Sequence, residues 1–449
     1  MTAPQIVVLG AGPAGASVAR ALATLGYAVT VVSERRRFDA VESLSLHALG
    51  GLRRAGLLRA ALCAQGPSVR TTLWNGAMQT ANADFLVDRH AFDAALRDDL
   101  REAGVEIVEA AVRSVQTTAH THDLMIETAD GPLSLNADFL VEARGRLAPL
   151  MRDATRGPQT LSLLNVWQGA AASAASTGSA VESLQDGWAW MARLPDGRCY
   201  WQMTLDVACA ELPQRDELLA FCARKRRSPL ASAFFASDTG AHARLHARSS
   251  TATLCGRAGA RNWLRVGDAA MAVDPLAGNG ILQSLSSALQ APAVIHTLIS
   301  RPERADLALR FHQQRIEHLF RHFARTGRDV YALEQRFGAA PFWQARSQWP
   351  DDERTHQVPD FGQLAIARAP VIDGDLIAEA DVVVCPDQPL GVWHLQGVPL
   401  APIVQALMHE NARENPHESA HEALKSLDAD AAHTIRQWLV AQGYPHALA

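Results

Sequence analysis

Lysine is almost missing from this chain: of its 42 basic residues only Lys225 and Lys425 are lysines. Cysteine is also sparse. Cys63, Cys199, Cys209, Cys222, Cys255 and Cys385 are scattered and form no C-x-x-C pair. That excludes a disulfide framework and a cysteine zinc site, and it points to a reducing compartment. No run of 18 uncharged apolar residues occurs, so no membrane span is expected. The N-terminus lacks the basic segment of a secretory signal. A cytoplasmic protein is therefore the expectation. Strong positive charge is missing too. The net charge is −5, and residues 351–449 hold 15 acidic against 5 basic residues. Such a tail argues against nucleic acid as a partner. The basic run Arg224-Lys225-Arg226-Arg227 reads as a solvated face. There is no internal repeat and no low-complexity segment. What remains is a chain of 449 residues, 48% hydrophobic and 20% charged, the composition of a globular protein with two or three domains.

The order of elements begins with a short β-branched run, Gln5 to Leu9, read as a buried strand. A glycine-rich turn follows, then a helix over about 14–25 stopped by Gly26, then a strand from Tyr27 to Val32. Together these form a βαβ unit. His90 to Ala103 has helical spacing, with Phe92, Leu96 and Leu100 on one face. Residues 160–255 read as strands joined by tight turns, and 303–335 as long helix. A Trp- and Pro-containing stretch near 340–360 reads as a linker. The expected fold class is α/β, in three parts. A Rossmann-like dinucleotide-binding domain spans 1–160 and 255–345. A β-sheet substrate domain spans 161–254 with part of 65–88. A small α+β C-terminal domain, winged-helix-like, spans 355–449.

The strongest local signal is Gly10-Ala11-Gly12-Pro13-Ala14-Gly15, a G-x-G-x-x-G between strand and helix. Gly10 permits the tight turn, Gly12 lets a pyrophosphate approach the backbone, and Gly15 lets helix and strand pack closely. The helix start presents free N–H groups and a positive dipole end to the phosphates. Glu34 follows Gly15 by 19 residues, at the end of the second strand, where an acid binds ribose hydroxyls. The second signal is Val266-Gly267-Asp268-Ala269-Ala270, then Asp274-Pro275-Leu276-Ala277-Gly278-Asn279-Gly280-Ile281. Asp268 ends a strand, where its carboxylate can accept hydrogen bonds from a polyol. A helix starting near Gly280 would aim its positive end at a flat ring.

These two motifs together resemble the flavoprotein monooxygenases with the p-hydroxybenzoate hydroxylase fold, a group that includes the flavin-dependent tryptophan halogenases. Two further stretches carry the likeness: Asp88-Arg89-His90-Ala91-Phe92-Asp93 and Glu142-Ala143-Arg144-Gly145-Arg146. In the second, Glu142 replaces the usual Asp and Arg144 a small polar residue. The resemblance covers about residues 1–335. It implies that Gly10, Gly12, Pro13, Ala14, Gly15, Glu34, Arg35 and Val112 hold the ADP half of FAD. Arg89 would lie near the phosphates, Asp268 at the ribityl or phosphate oxygens, and Gly278, Gly280 and Ile281 at the flavin. Glu42-Ser43-Leu44-Ser45-Leu46-His47 is similar to a segment of the maturation flavoproteins that act with quinone-containing amine oxidases and dehydrogenases. The nearest resemblance is to those that mature quinohaemoprotein amine dehydrogenase. It implies O₂-dependent hydroxylation of a tryptophan side chain carried by a small protein subunit. With no second glycine fingerprint, NADH or NADPH is expected to bind transiently as the reductant.

The halogenases of this group use a lysine within the first hundred residues, and neither Lys225 nor Lys425 lies there. Gly187-Trp188-Ala189-Trp190 is similar to their W-x-W-x-I-P motif, but Leu194-Pro195 follows two residues late. Both departures favour oxygen transfer, with the tryptophans read as core or pocket wall. His47 and Glu42 are the candidates for a catalytic base, from their place in the resembling segment. A small-molecule aromatic hydroxylase, a halogenase and an FAD-linked alkene reductase stand as alternatives. His417-Glu418-Ser419-Ala420-His421 fits H-E-x-x-H, yet Pro416 precedes it and no apolar helix core flanks it, so no metal is expected.

Overall fold

The computed structural model describes residues 4–150, 153–170, 177–236, 240, 242–278, 280–408 and 421–444. The chain divides into two compact units, Met1–Pro292 with Ile316–Glu353, and Ala293–Arg315 with Arg354–Ala449.

The first unit contains two large sheets. One runs Gly259–Ala260, Trp263–Arg265, Phe139–Glu142, Gln5–Leu9, Ala28–Val32, Glu106–Val108. All neighbours are parallel except the first pair. In chain order its parallel strands lie 3-2-1-4-5, the Rossmann-like winding. Val8 pairs with both Val31 and Val141, so the central strand is covered on both sides and can be continuously apolar. Pro13 opens the following helix, Pro13–Thr24, and its buried small residues Ala16 and Ala19 let it lie close to the sheet. The helix Arg89–Glu102 is capped by the Asp88 carboxylate, which accepts from the His90 and Ala91 N–H groups at 2.8 and 3.3 Å. Phe92, Leu96 and Leu100 are fully buried, as the helical spacing requires.

The second sheet, mostly antiparallel, runs Arg244–Ser249, Thr160–Gln168, Arg198–Asp206, Gly187–Arg193, Gly178–Leu184, Gln65–Trp74, Ala77–Asp88, Val41–Leu44. Its third hairpin therefore comes from the 65–88 region, far from the rest in sequence. One face packs Leu164, Val166 and Tyr200 against Ala40 and Val41. The other packs Leu163, Trp167 and Trp201 against Phe221, Leu230 and Phe235. Those last residues belong to two short helices, Leu218–Lys225 and Pro229–Phe235, where the alternating pattern of 160–255 suggests strands only. Pro229 at a helix start and an apolar stripe too short to show its period account for the difference.

The stretch near 340–360 is not all linker. Pro341 opens a helix, Pro341–Ser347, and Phe342 and Trp343 are 1% and 0% exposed. Burying two aromatic rings outweighs the disorder that Trp, Pro and polar residues suggest.

In the second unit, Ala365–Asp373, Leu376–Cys385 and Gln388–Val392 form an antiparallel meander, one strand more than the hairpin that the apolar runs 382–385 and 391–395 suggest. Arg368 and Pro370 interrupt the alternation of that added strand, which hides it in the sequence. Leu400–Met408 and Ala429–Ala441 are helices on an apolar core with Val383, Ile435 and Leu439. Residues 293–315 join this unit and not the first. Thr297 Oγ1 accepts from the Ile377 N–H at 2.7 Å, and Arg310 pairs with Glu379 at 3.6 Å. Of the H-E-x-x-H pattern, His417, Glu418, Ser419 and Ala420 lie outside the described residues.

Candidate active site

The glycine motif forms a cradle whose three glycines do different work. Gly10 has φ +107°, and a Cβ there would stand 2.5 Å from the Ala143 carbonyl oxygen. A Cβ on Gly15 would stand 1.9 Å from the Gly10 oxygen. A Cβ on Gly12 would meet nothing within 4 Å. Two glycines therefore allow close packing, and the third faces open space at the start of the helix Pro13–Thr24, with Ala14 beside it. That combination fits a pyrophosphate on the helix N-terminus. Glu34 ends the neighbouring strand region exposed, 2.6 Å from Arg37, and Arg35 pairs with Glu109 at 2.8 Å. Val112 packs on the apolar cluster that includes Val32 and Ile126.

Arg89 is buried between two carboxylates, 2.6 Å from Glu42 and 2.7 Å from Asp93. Burial disfavours its charge, but Glu42 and Asp93 outweigh this and raise its pKa. Burial likewise pushes the Glu42 carboxyl up, yet Arg89, Arg36 and Arg248 hold it below its ordinary value. Glu42 is thus an ionised partner of Arg89, a weak base. His47 lies on the helix Leu46–Arg54, exposed to solvent, and the structure does not bring it to Glu42's ion pair.

The second motif is tied down by side chains. The Gly267 N–H donates to Ser287 Oγ at 2.7 Å, and Ser284 Oγ donates to Asp268 at 3.2 Å. Burial pushes the Asp268 carboxyl up, while Arg146, 3.7 Å away, and Ser284 draw it back. Arg146 also donates to the Val273 carbonyl at 2.7 Å, so the Glu142–Arg146 segment and the Asp268 loop form one surface. The two departures noted in that segment compensate each other: the Arg144 side chain donates to the Glu142 carboxylate at 3.0 Å. Asp274 accepts from the Leu276 N–H at 2.9 Å and from the Tyr331 hydroxyl at 2.9 Å. Tyr331 in turn accepts from the Trp188 indole N–H at 3.0 Å. Trp188 is 3% exposed and belongs to the core. The loop ends at Gly278, with φ +65°, and the helix Gly280–Ala288 follows with Ile281 buried.

Several residues reach this site without a motif of their own. Arg70 lies beside Gly278, with its Nη1 3.7 Å from where a Gly278 Cβ would be. It donates to Ser43 Oγ at 2.7 Å and pairs with Asp84 at 2.5 Å. Arg248 and Gln202, bonded at 3.0 Å, come from the second sheet. Only the tertiary fold assembles these groups. Ser43 alone carried a signal, as a neighbour of Glu42.

Lys225 pairs with Asp186 at 2.5 Å at the end of the helix Leu218–Lys225, and Lys425 pairs with Glu422 in the other unit. Among the described residues no group of His, Cys, Asp and Glu could hold a metal ion.

Comparison with known proteins adds four findings. A sequence model of the lycopene cyclase protein family matches residues 5–167. LodB of Marinomonas mediterranea, assigned as an FAD-dependent oxidoreductase, is 23% identical over 377 residues, covering 77% of this chain and 97% of LodB. The structure of QhpG, a peptidyl tryptophan dihydroxylase essential for tryptophylquinone cofactor biogenesis, is 54% identical, with a TM-score of 0.86. That match covers 98% of this chain and 100% of QhpG. CmlS, a flavin-dependent halogenase, shares the fold at 16% identity and a TM-score of 0.78, covering 99% of this chain and 96% of CmlS.

Proposed function

The chain belongs to the family of the peptidyl tryptophan dihydroxylase QhpG, within the FAD-dependent oxidoreductases, and from that we propose that it hydroxylates a tryptophan side chain of a protein or peptide twice, in tryptophylquinone biogenesis. The observation that carries this reading is the full-length match at 54% identity. Each round would consume one O₂, one NADH or NADPH and one proton, and release one water. The partner would be a small protein subunit bearing the target tryptophan.

FAD, when bound and reduced, supplies the activation of O₂. The chain's own residues have three tasks. The open space at Gly12 and the N–H groups of the first helical turn take the pyrophosphate, with Glu34 at the ribose, and Arg35 and Val112 at the rim of the ADP half. Arg89 adds a fixed positive charge nearby, held in place by Glu42 and Asp93. Asp268 accepts from the ribityl hydroxyls. The Asp274 loop, fixed by Tyr331, brings Gly278, Gly280 and Ile281 to the edge of the ring and excludes water there. On this reading Glu42 acts through Arg89, as a positioning residue.

Halogenation is the weaker reading, because both lysines are held by carboxylates, Lys225 by Asp186 and Lys425 by Glu422. The test is the stoichiometry of O₂ and NADH consumption with a tryptophan-bearing peptide of the partner. Two of each per peptide, with little hydrogen peroxide, supports the proposal. NADH oxidation without O₂ uptake would point to a reductase.

A further inference from the structure

One face of the second sheet carries a cation that no carboxylate answers directly. The strands pair in register: Ser162 stands opposite Arg248, Leu164 opposite Gln202, and Gln202 opposite Trp190. Directly paired residues point to the same face, and faces alternate along each strand. Arg248, Gln202 and Trp190 therefore share the face that packs Leu164 and Val166 against Ala40 and Val41. Arg248 Nη2 reaches over the intervening strand and donates to Gln202 Oε1 at 3.0 Å. Arg248 feels the charges of Glu42, Arg36, Arg146 and Arg89, and Arg146 in turn faces Asp268 at 3.7 Å. This face thus looks onto both motifs of the candidate site.

Two features set Arg248 apart. Its hydrogen-bond partner is a neutral amide. Among the described residues no carboxylate pairs with it, and Glu42 is already bound to Arg89 at 2.6 Å. Burial and the charges of Arg36, Arg146 and Arg89 lower its pKa, with Glu42 alone opposing them. His246, on the same face of the same strand, has its pKa lowered by burial and by Arg244 and Arg248, with Asp39 opposing. The surroundings are short of negative charge. The second feature is that the donors here are open. Arg248 Nε and Nη1, Gln202 Nε2 and the Trp190 indole N–H have no hydrogen-bond partner among the described residues, and none of them is sealed from solvent. The one side-chain acceptor of the three residues, Gln202 Oε1, is already engaged. A floor of donors with a net positive field, beside a half-buried indole ring, fits an anionic oxygen carried on an aromatic ring.

We infer that Arg248, supported by Gln202 and Trp190, is a catalytic residue of the second hydroxylation, where it holds as an oxyanion the hydroxyl placed on the tryptophan ring in the first. The inference rests on the proposed double hydroxylation. A tryptophan side chain offers this floor no negative charge before the first round. Its once-hydroxylated form offers an ionisable ring hydroxyl. Held ionised, that oxygen pushes an electron pair into the ring and makes a ring carbon a better nucleophile for the second oxygen. The hydroxyl proton goes to water on binding and returns on release. The attacking carbon forms a C–O bond and loses its hydrogen as a proton. O₂ provides the oxygen atom, its other atom leaves as water, and NADH or NADPH supplies the two electrons.

The experiment follows the intact mass of a tryptophan-bearing peptide of the partner over time, with the FAD-loaded full chain, NADH and O₂. Wild type passes through the one-oxygen product without accumulating it. Arg248→Gln lowers the ratio of second-round to first-round rate by about a hundredfold, so the one-oxygen peptide builds up. Arg248→Lys keeps the charge and recovers about a tenth or more of the lost ratio. Between about pH 7 and 9 the wild-type second round is flat, whereas that of Arg248→Gln climbs by about tenfold per unit, because an unassisted phenolic hydroxyl ionises only near a pKa of about 10. An equal loss in both rounds, or a loss of FAD that accounts for the slower rates, overturns the inference and places Arg248 on the cofactor or on a group present in both rounds. Two oxygens added by Arg248→Gln at the wild-type ratio also overturn it, and leave the dihydroxylase reading standing. No oxygen added by wild type overturns that reading, and this inference with it.

Discussion

The two ends of the candidate site are built by opposite means. At the nucleotide end the decisive features are missing side chains. Gly10 and Gly15 allow backbone contacts that no other residue permits, and Gly12 leaves space. At the flavin-loop end the decisive features are side chains that arrive from far away. Tyr331 reaches Asp274 across 57 residues, Trp188 reaches Tyr331 across 143, and Arg346, whose charge draws the Asp274 carboxyl down, reaches Asp206 across 140. The first end depends on sterics and is fixed locally. The second depends on buried polar pairs and is fixed by the whole fold. The two should therefore fail differently under mutation.

The largest effects should show this contrast most sharply. Gly15→Ala forces a Cβ against the Gly10 carbonyl. It should cost about 3 kcal/mol or more and yield protein with little FAD, measured by the flavin-to-protein absorbance ratio and by chemical denaturation. Gly12→Ala meets no atom. It should leave the melting temperature of the FAD-free protein unchanged and weaken FAD binding alone. Equal damage from both would break the comparison. At the other end, Arg346→Met strands the buried Asp206 carboxylate and should cost about 3–5 kcal/mol in denaturation, with the nucleotide end intact.

A smaller effect is expected at Tyr331. Tyr331→Phe removes one hydrogen bond to Asp274 and leaves the Trp188 indole unpaired, for about 1–3 kcal/mol. Because Tyr331 holds the loop and does not touch the pyrophosphate, FAD affinity should change less than the flavin absorbance spectrum.

These contrasts also explain what was legible in the sequence. The Rossmann-like unit could be read from Gln5 to Glu34 because strand, turn, helix and acid are adjacent. Part of 65–88 was expected in the substrate domain, and the structure pairs it there as the strands Gln65–Trp74 and Ala77–Asp88. Arg70, Asp84, Arg248 and Tyr331 carry no local signal. Their roles arise only when strands 100 or more residues apart pair, as Ser179 does with Arg70. The helices behind that sheet were too short to show a period. Arg144 and Glu142 looked like departures from a pattern, and only the structure shows that they pair with each other.

The pH dependence of stability should sharpen the comparison further, with opposite signs at two carboxylates. Glu42 has a lowered pKa in the folded state. Its contribution is present above the ordinary carboxyl pKa and is lost as pH falls through the lowered value. Glu42→Gln should therefore destabilise at neutral pH and match wild type in acid. Asp268 has a raised pKa. Its ionisation opposes folding, a penalty complete above the raised value and absent below the ordinary one. Asp268→Asn should raise the melting temperature of FAD-free protein at neutral pH and lose that advantage in acid. Melting curves across pH check both.

The smallest effect is expected at His47, which is exposed. His47→Ala should change the peptide-dependent rate by less than about twofold, whereas general-base catalysis would be worth about a hundredfold or more. A loss of that size would restore His47 as the base.

The central claim is oxygen insertion into a peptidyl tryptophan. Its most direct test is the intact mass of the small tryptophan-bearing subunit after reaction with the FAD-loaded protein, NADH, chloride and isotopically heavy O₂. The account predicts a gain of two heavy oxygen atoms on one tryptophan, absent without NADH. A chlorine isotope pattern, or oxygen drawn from water, would contradict it.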